Sequence, residues 1–277
     1  MSLRLSVSLK LNLSMKYFRV FANTWGETLS YRFNFIMWRF RVVLQLLTMF
    51  FLWNALIPKN STLFGYSQPQ MLTYILGTSL MTSIVIATRT AEIGDQINNG
   101  TLSNFLIRPI SYMKYWFARD LGDKAMNLVF SIIEIAILVM IFKPNLFIQT
   151  HPQYIFLTFI SALISLTMYF YFNYLLGLLG FWSNEIWGPR FIFWILLNFF
   201  AGSLFPLDIL PNIVFNVLKF LPFTYLLYFP LKIYLGQLAI STILEGFIIS
   251  ILWTFILYFM AKFTWNKGLK VYGAECR

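Results

Sequence analysis

Ten Asp and Glu, one His and one Cys are the residues of this 277-residue chain best suited to acid–base, thiol or metal chemistry. They are scattered. His151 stands beside Pro152 with no partner evident from spacing, and Cys276 stands next to the C-terminus. A single Cys excludes an intramolecular disulfide. One His and one Cys leave too few ligands for a His/Cys metal site within one chain. No Gly-x-x-x-x-Gly-Lys-Ser/Thr phosphate loop is present, and no long polar stretch could house a nucleotide-hydrolysing domain. No nucleophile–base pair stands out. The chain reads as a non-enzyme, with no catalytic, cofactor-binding or metal-binding residues of its own.

Glu134 is the acidic residue that asks for an explanation. It is flanked by Ile132, Ile133, Ile135 and Ile137, in the middle of an apolar run. An unpaired carboxylate in the bilayer interior costs roughly 2.5–3.5 kcal/mol on insertion scales, and such groups usually face a bundle interior or a cavity. Two readings stand side by side. Glu134 lines a translocation path, or it is a protonated carboxyl bonded to a neighbouring span.

The elements that must position these residues are membrane helices. Hydrophobic residues make up 59% of the chain and charged residues 11%, against about 45–50% and about 25% in soluble domains. Thirty-one Phe, fifteen Tyr and nine Trp suit the bilayer interior and its interfaces. The net charge of +11 would suggest nucleic acid on a soluble protein. Here the basic residues stand beside apolar segments, so they read as orientation signals and no nucleic-acid partner is expected. The expected fold is an all-α membrane protein with about six transmembrane helices.

Residues 2–14 alternate apolar and polar, from Leu3-Arg4 to Leu13-Ser14. That period of two is a strand pattern with nothing obvious to pair with, so residues 1–14 read as a poorly ordered extension. No cleavable signal peptide is apparent. From Lys16 the period changes. Phe18, Phe21, Trp25, Leu29, Phe33 and Ile36 form one stripe, and Lys16, Arg19, Asn23, Glu27, Ser30 and Asn34 form another on the opposite face. This predicts a basic, aromatic amphipathic helix over 16–40, in the membrane interface. Residues 15–277 read as one transmembrane domain. Spans are expected near 42–57, 71–88, 125–142, 154–182, 191–204 and 241–261. Between the last two, Pro206, Pro211, Pro222 and Pro230 predict an external, broken segment over 205–238. Gly177, Gly180 and Ala201-Gly202-Ser203 permit close helix approach, within the chain or between chains.

With six spans, seventeen of the twenty-one Lys and Arg fall on one side, in 1–41, 89–124, 183–190 and 262–277. Only Lys59, Lys143, Lys219 and Lys232 fall on the other. The positive-inside rule then predicts a multi-pass protein of the cell membrane with both termini cytoplasmic.

That orientation puts 89–124 in the cytoplasm. The stretch contains Glu92, Ile93, Gly94, Asp95, Ile97, Gly100, Thr101, Leu102, Phe105, Leu106, Arg108 and Pro109. Ile93 and Ile97 share a helical face, Gly100-Thr101 breaks or restarts the helix, and Pro109 ends it. The pattern predicts a short amphipathic helix that offers an apolar knob to something outside the membrane.

Here the chain resembles the type-2 ABC exporter permeases. The resemblance rests on an acidic-plus-Gly segment, Gly100-Thr-Leu and the close Leu106-Ile-Arg-Pro109. It extends to Lys16-Tyr-Phe-Arg-Val-Phe, Tyr31-Arg-Phe-Asn34, Tyr112 to Arg119, Gly202-Ser-Leu-Phe-Pro206-Leu and Leu210-Pro211. It covers most of the chain from Met15 onward. What it implies is a coupling helix over Glu92–Leu106, on which a cytoplasmic ATPase docks. It also implies a second permease chain, identical or related, and alternating access driven by ATP with Mg in the partner ATPase. Two other readings stay open: a transporter driven by an ion gradient, with Glu134 as coupling group, and a membrane assembly subunit that moves nothing.

Overall fold

The computed structural model describes residues 2–30, 32–58 and 61–272, with side chains from Met15 onward. Tyr31, Lys59 and Cys276, singled out above, lie outside the described residues. Eleven α-helices account for most of the described chain, with one two-residue antiparallel β-hairpin between β1 (Thr62–Leu63) and β2 (Tyr66–Ser67). The chain is an all-α membrane protein in architecture. Five of its helical stretches are long and apolar enough to cross a bilayer: Arg32–Leu56, Gln68–Ile86, Tyr112–Phe142, Pro152–Phe181 and Ile240–Val271.

The first helix, α1 (Ser2–Ser30), takes in residues 2–14 with continuous helical backbone. The strand-like alternation is overridden because an isolated strand leaves its backbone groups unpaired, whereas a helix pairs them within itself. The boundary expected after residue 40 falls earlier, since α2 runs from Arg32 to Leu56. A long helix, α6 (Tyr112–Phe142), lies alongside both. Tyr17 Oη accepts a hydrogen bond from Ser111 N at 3.2 Å, and Trp25 Nε1 donates to Gly122 O at 2.8 Å. Further along, Arg39 meets Glu134, and Phe51 packs edge-on against Phe142 at 5.1 Å. The contacts advance in the same direction along α1–α2 and α6, so the two run parallel. The face of α1 turned to α6 carries Thr24 and Thr28, both buried, while Phe18 and Leu29 stay exposed.

Helix α3 (Gln68–Met81) opens with a capping box in which Ser67 N donates to Gln70 Oε1 at 3.0 Å. It passes into a π-helical turn, Thr82–Ile86. Two short helices follow, α4 (Glu92–Asn98) and α5 (Ser103–Leu106). Helix α6 covers the third expected span and thirteen residues of the polar stretch before it. At 1.5 Å per residue its 31 residues reach about 46 Å, well beyond a hydrocarbon core of about 30 Å. It ends where Lys143 turns left-handed, at φ 43°, before Pro144.

Helix α7 (Pro152–Leu178) closes in a 3-10 turn, Leu179–Phe181. Helix α8 (Trp187–Phe200) has 14 residues, about 21 Å of helix, and is not among the five long stretches. The expected segment 205–238 is folded. It holds a 3-10 turn at Leu207–Ile209, α9 (Asn212–Leu218), a second 3-10 turn at Pro222–Tyr225 and α10 (Tyr228–Tyr234). Its backbone is bonded to the rest of the chain. Tyr228 N donates to Ala201 O at 3.0 Å, Ser165 Oγ to Tyr225 O at 2.6 Å, and Gln149 Nε2 to Tyr234 O at 2.8 Å. Irregular backbone survives at membrane depth only when protein satisfies it in this way. The last helix, α11 (Ile240–Val271), packs along α7.

Buried side chains form two clusters. The larger joins α2, α3, α7 and α10 around Met71, Tyr74, Met168 and Ile233. The smaller gathers Ile93, Ile97, Leu102, Trp116, Tyr174 and Phe181 where α4 meets α6 and α7.

Candidate functional site

The short helices α4 and α5 sit against the end of α7. Glycines permit the approach. A Cβ on Gly177 would stand 2.8 Å from Ile93 Cβ and 3.1 Å from Thr90 O. One on Gly180 would stand 3.1 Å from Gly94 Cα. These glycines therefore serve packing within the chain.

The apolar residues of the unit divide into two sets. Ile93, Ile97 and Leu102 are buried in the smaller cluster. They are turned into the protein and do not form the outward knob that their periodicity suggested. The reason is that the ends of α7 and α11 supply an apolar surface of the chain's own. The outward face is made by Leu106 and Ile107, 47% and 84% exposed, next to exposed Arg108 and Pro109. Asp95 and Thr101 are exposed as well, Phe105 is half-buried against Tyr112 and Tyr115, and Gly100 adopts φ 71° at the break.

Ionic bonds tie the unit to its surroundings. Arg119 of α6 donates to Glu92 at 2.9 Å and to Glu27 of α1 at 2.7 Å. Arg89 donates to Asp123 at 3.1 Å and to Thr28 at 2.5 Å. Thr88 donates to Asp120 at 2.6 Å, and Arg190 to Thr90 O at 2.8 Å. Lys124, paired with Asp120 at 3.1 Å, donates to the carbonyls of Val85 and Ala87 at the end of the π-turn. Positive charge there satisfies carbonyls that no helical N–H reaches. Burial pushes the Glu92 carboxyl above its ordinary range, with Arg119 and Arg89 opposing the shift. Sequence reading passed over Arg89, Arg119, Asp120 and Lys124. The signal available was the i, i+4 pair Asp120–Lys124 close to an apolar run.

Glu134 is the carboxylate of an ion pair. Arg39 Nε donates to Glu134 Oε1 at 2.7 Å, and its Nη2 meets the other carboxylate oxygen. The side chains are only 6% and 14% exposed. Of the two sequence readings, bonding to a neighbouring span describes the contact, and the partner is a guanidinium. Arg39 falls at the edge of the expected interfacial helix, where a cation needs no special account, so its pairing was missed.

A cavity of about 720 Å³ opens between α2, α3 and α8. Its walls are mainly apolar, with one cation, Arg41, and with Gln45, Ser83, Asn198 and Ser203 among its neutral polar points. Glu134 does not line it. The π-turn does, through Thr82, Ser83 and Ile86, and a π-turn is often a functional irregularity in a helix.

Residues 43–276 match the ABC-2 family of transporter proteins. The match takes in the spanning helices from α2 onward, both short helices and the broken segment. The chain belongs to the ABC-2 transporter family. Among curated proteins, none matches the chain. An ABC-2 protein is a membrane component of an ABC transporter and normally non-catalytic. In ABC-2 terms this chain is a permease and a multi-pass membrane protein, with α4–α5 in the loop between its second and third long helices.

Proposed function

We propose that this chain is one membrane half of an exporter driven by a separate ATPase. Its α4–α5 end faces the cytoplasm and receives the ATPase, and α8 serves as a short sixth crossing. The observation that carries this reading is the two-sided build of α4–α5. One side is locked into the chain by Ile93, Ile97, Leu102 and the glycine contacts. The other presents Leu106 and Ile107, 47% and 84% exposed among the described residues. A push on the outer face is delivered to α7 by packing, and to α1 and α6 through Glu92, Glu27 and Arg119. Movement of α3 at its π-turn then changes the cavity beside α2 and α8. A second permease chain would complete the path on the open side of that cavity, and alternation of the two halves would move substrate outward. ATP and Mg belong to the partner ATPase.

The test is a pair of variants. Ile107→Asp with Leu106→Asp should abolish co-purification of the ATPase and ATP-driven transport, while the melting temperature stays at the parental value. Ile93→Asp should instead lower the melting temperature, because it buries a carboxylate with no partner. Retention of the ATPase by the Leu106/Ile107 variant would overturn the reading.

A further inference from the structure

A second cavity, of about 400 Å³, lies at the α4–α5 end between the loop and α11. It borders the docking face and shares Leu106 with it, but its α11 wall has no part in the transport reading. One wall is α11, where Tyr258, Lys262, Asn266 and Leu269 follow at helical spacing on one face. The facing wall is the chain from Phe105 to Met113, which carries Arg108. The floor includes Tyr112, stacked on Trp265 at 4.9 Å, and Tyr174 of α7.

Three features give this cavity a chemistry. Among the described residues no Asp or Glu lines it, whereas two cations do. Among the described residues neither Lys262 nor Arg108 has an acidic partner within ion-pair distance; the Arg108 guanidinium lies over the Phe105 ring at 5.5 Å. Among the described residues the hydroxyl of Tyr174, itself fully buried, has no hydrogen-bond partner, which is costly unless a ligand supplies one. Above Lys262 on α11, Phe255 and Phe259 are 58% and 62% exposed, an apolar track leading from the cavity toward the bilayer interior.

We propose that this cavity binds the phosphate headgroup of an anionic phospholipid, with its acyl chains laid along Phe255 and Phe259. The ammonium of Lys262 and the guanidinium of Arg108 take the phosphate, the second with the planar fork suited to it. Asn266 and the Tyr174 hydroxyl offer donors to the remaining oxygens. A free phosphate would leave the aromatic walls and the apolar track uncovered, so a lipid fits better than an ion. Basic pockets between helices on the cytoplasmic side are the usual place for such headgroups. The occupant would bridge the loop after α5 to α11. Its leaflet follows from the orientation proposed above; its binding does not depend on transport.

The experiment uses the purified full chain in a neutral detergent, without any ATPase, so its outcome is separate from that of the docking test. Binding of phosphatidylglycerol and phosphatidylcholine is measured by native mass spectrometry and by thermal stabilisation. The wild type should prefer phosphatidylglycerol by about tenfold or more, a factor in line with two cations at an anionic surface. Lys262→Ala with Arg108→Ala should abolish the preference. Both residues are exposed, so the fold should hold. Lys267→Ala with Lys270→Ala, exposed on the same helix but outside the cavity, should keep it. Tyr174→Phe should weaken phosphatidylglycerol binding without lowering the melting temperature. Equal binding of the two lipids, or equal loss in the two double variants, would overturn the proposal. Stabilisation by inorganic phosphate as large as that by phosphatidylglycerol would also overturn it, leaving a site for a free anion.

Discussion

Arg39 and Glu134 are each costly in a bilayer and together form a bond between α2 and α6. Removing one partner leaves the other charge buried and alone, at about 3–5 kcal/mol, whereas replacing both with apolar groups of similar size is often neutral. Glu134→Gln should therefore lower the melting temperature sharply, and Arg39→Met with Glu134→Leu should restore most of it. A double-mutant cycle on thermal unfolding checks this. A double variant whose loss equals the sum of the two single losses would show that the pair contributes little. Glu92 obeys a different balance. Its folded-state pKa lies above the ordinary 4.5, so the ionised form is worse off in the folded protein than in the unfolded chain. Its contribution to stability is largest below 4.5 and declines as pH rises through the raised folded value. Glu92→Gln should remove that decline, so the melting temperatures of variant and wild type should diverge in the variant's favour as pH rises from 4.5. A difference curve flat with pH would contradict the assignment.

At the scale of elements, the seat of α4 on α7 rests on missing side chains. A methyl on Gly177 meets Ile93 Cβ and the Thr90 carbonyl, neither of which is the free end of a flexible chain. Gly177→Ala should thus cost about 1–3 kcal/mol, the usual range for overpacking. Gly188→Ala, which has open space around its Cβ, should cost nothing of that kind. Unfolding midpoints of the two variants give the comparison. These elements were legible in different degrees. The helix over 92–98 and the break at Gly100 follow from spacing and from glycine. Which apolar residues face outward does not, because periodicity defines a stripe but not what covers it. The second and sixth spans were placed within a few residues of their N-terminal ends. The starts of α2 and α6 were missed because Arg39, Arg119, Asp120 and Lys124 read as solvated charges. In the structure each is neutralised or hydrogen-bonded by a neighbouring helix, so the helices run on through them.

For the molecule as a whole, orientation is the property on which the function turns. The chain's one native thiol, Cys276, allows a clean labelling test after Cys276→Ala. In that background, Phe64→Cys on the hairpin should react with an impermeant maleimide in intact cells. Ile107→Cys should react only after the membrane is opened. Both positions are highly exposed, 59% and 84%, so neither should be masked by packing. The reverse pattern would place α4–α5 outside and remove the docking proposal with it.

Composition and hydropathy by themselves determined that this is a helical membrane protein, because only helices or closed barrels can satisfy a backbone in lipid and the apolar runs have helical length. Together with short motifs they also indicated the family, since the loop glycines and prolines mark local backbone needs that sequence spells out directly. Tertiary structure alone decided the partners of the charges and the direction of the apolar faces. Glu134 became half of an interhelical clamp because Arg39, 95 positions away, stands opposite it. Ile93, Ile97 and Leu102 turned inward because the ends of α7 and α11 form an apolar seat, and Leu106 and Ile107 were left outside it. Such long-range pairings depend on which helices become neighbours, and no local spacing encodes that.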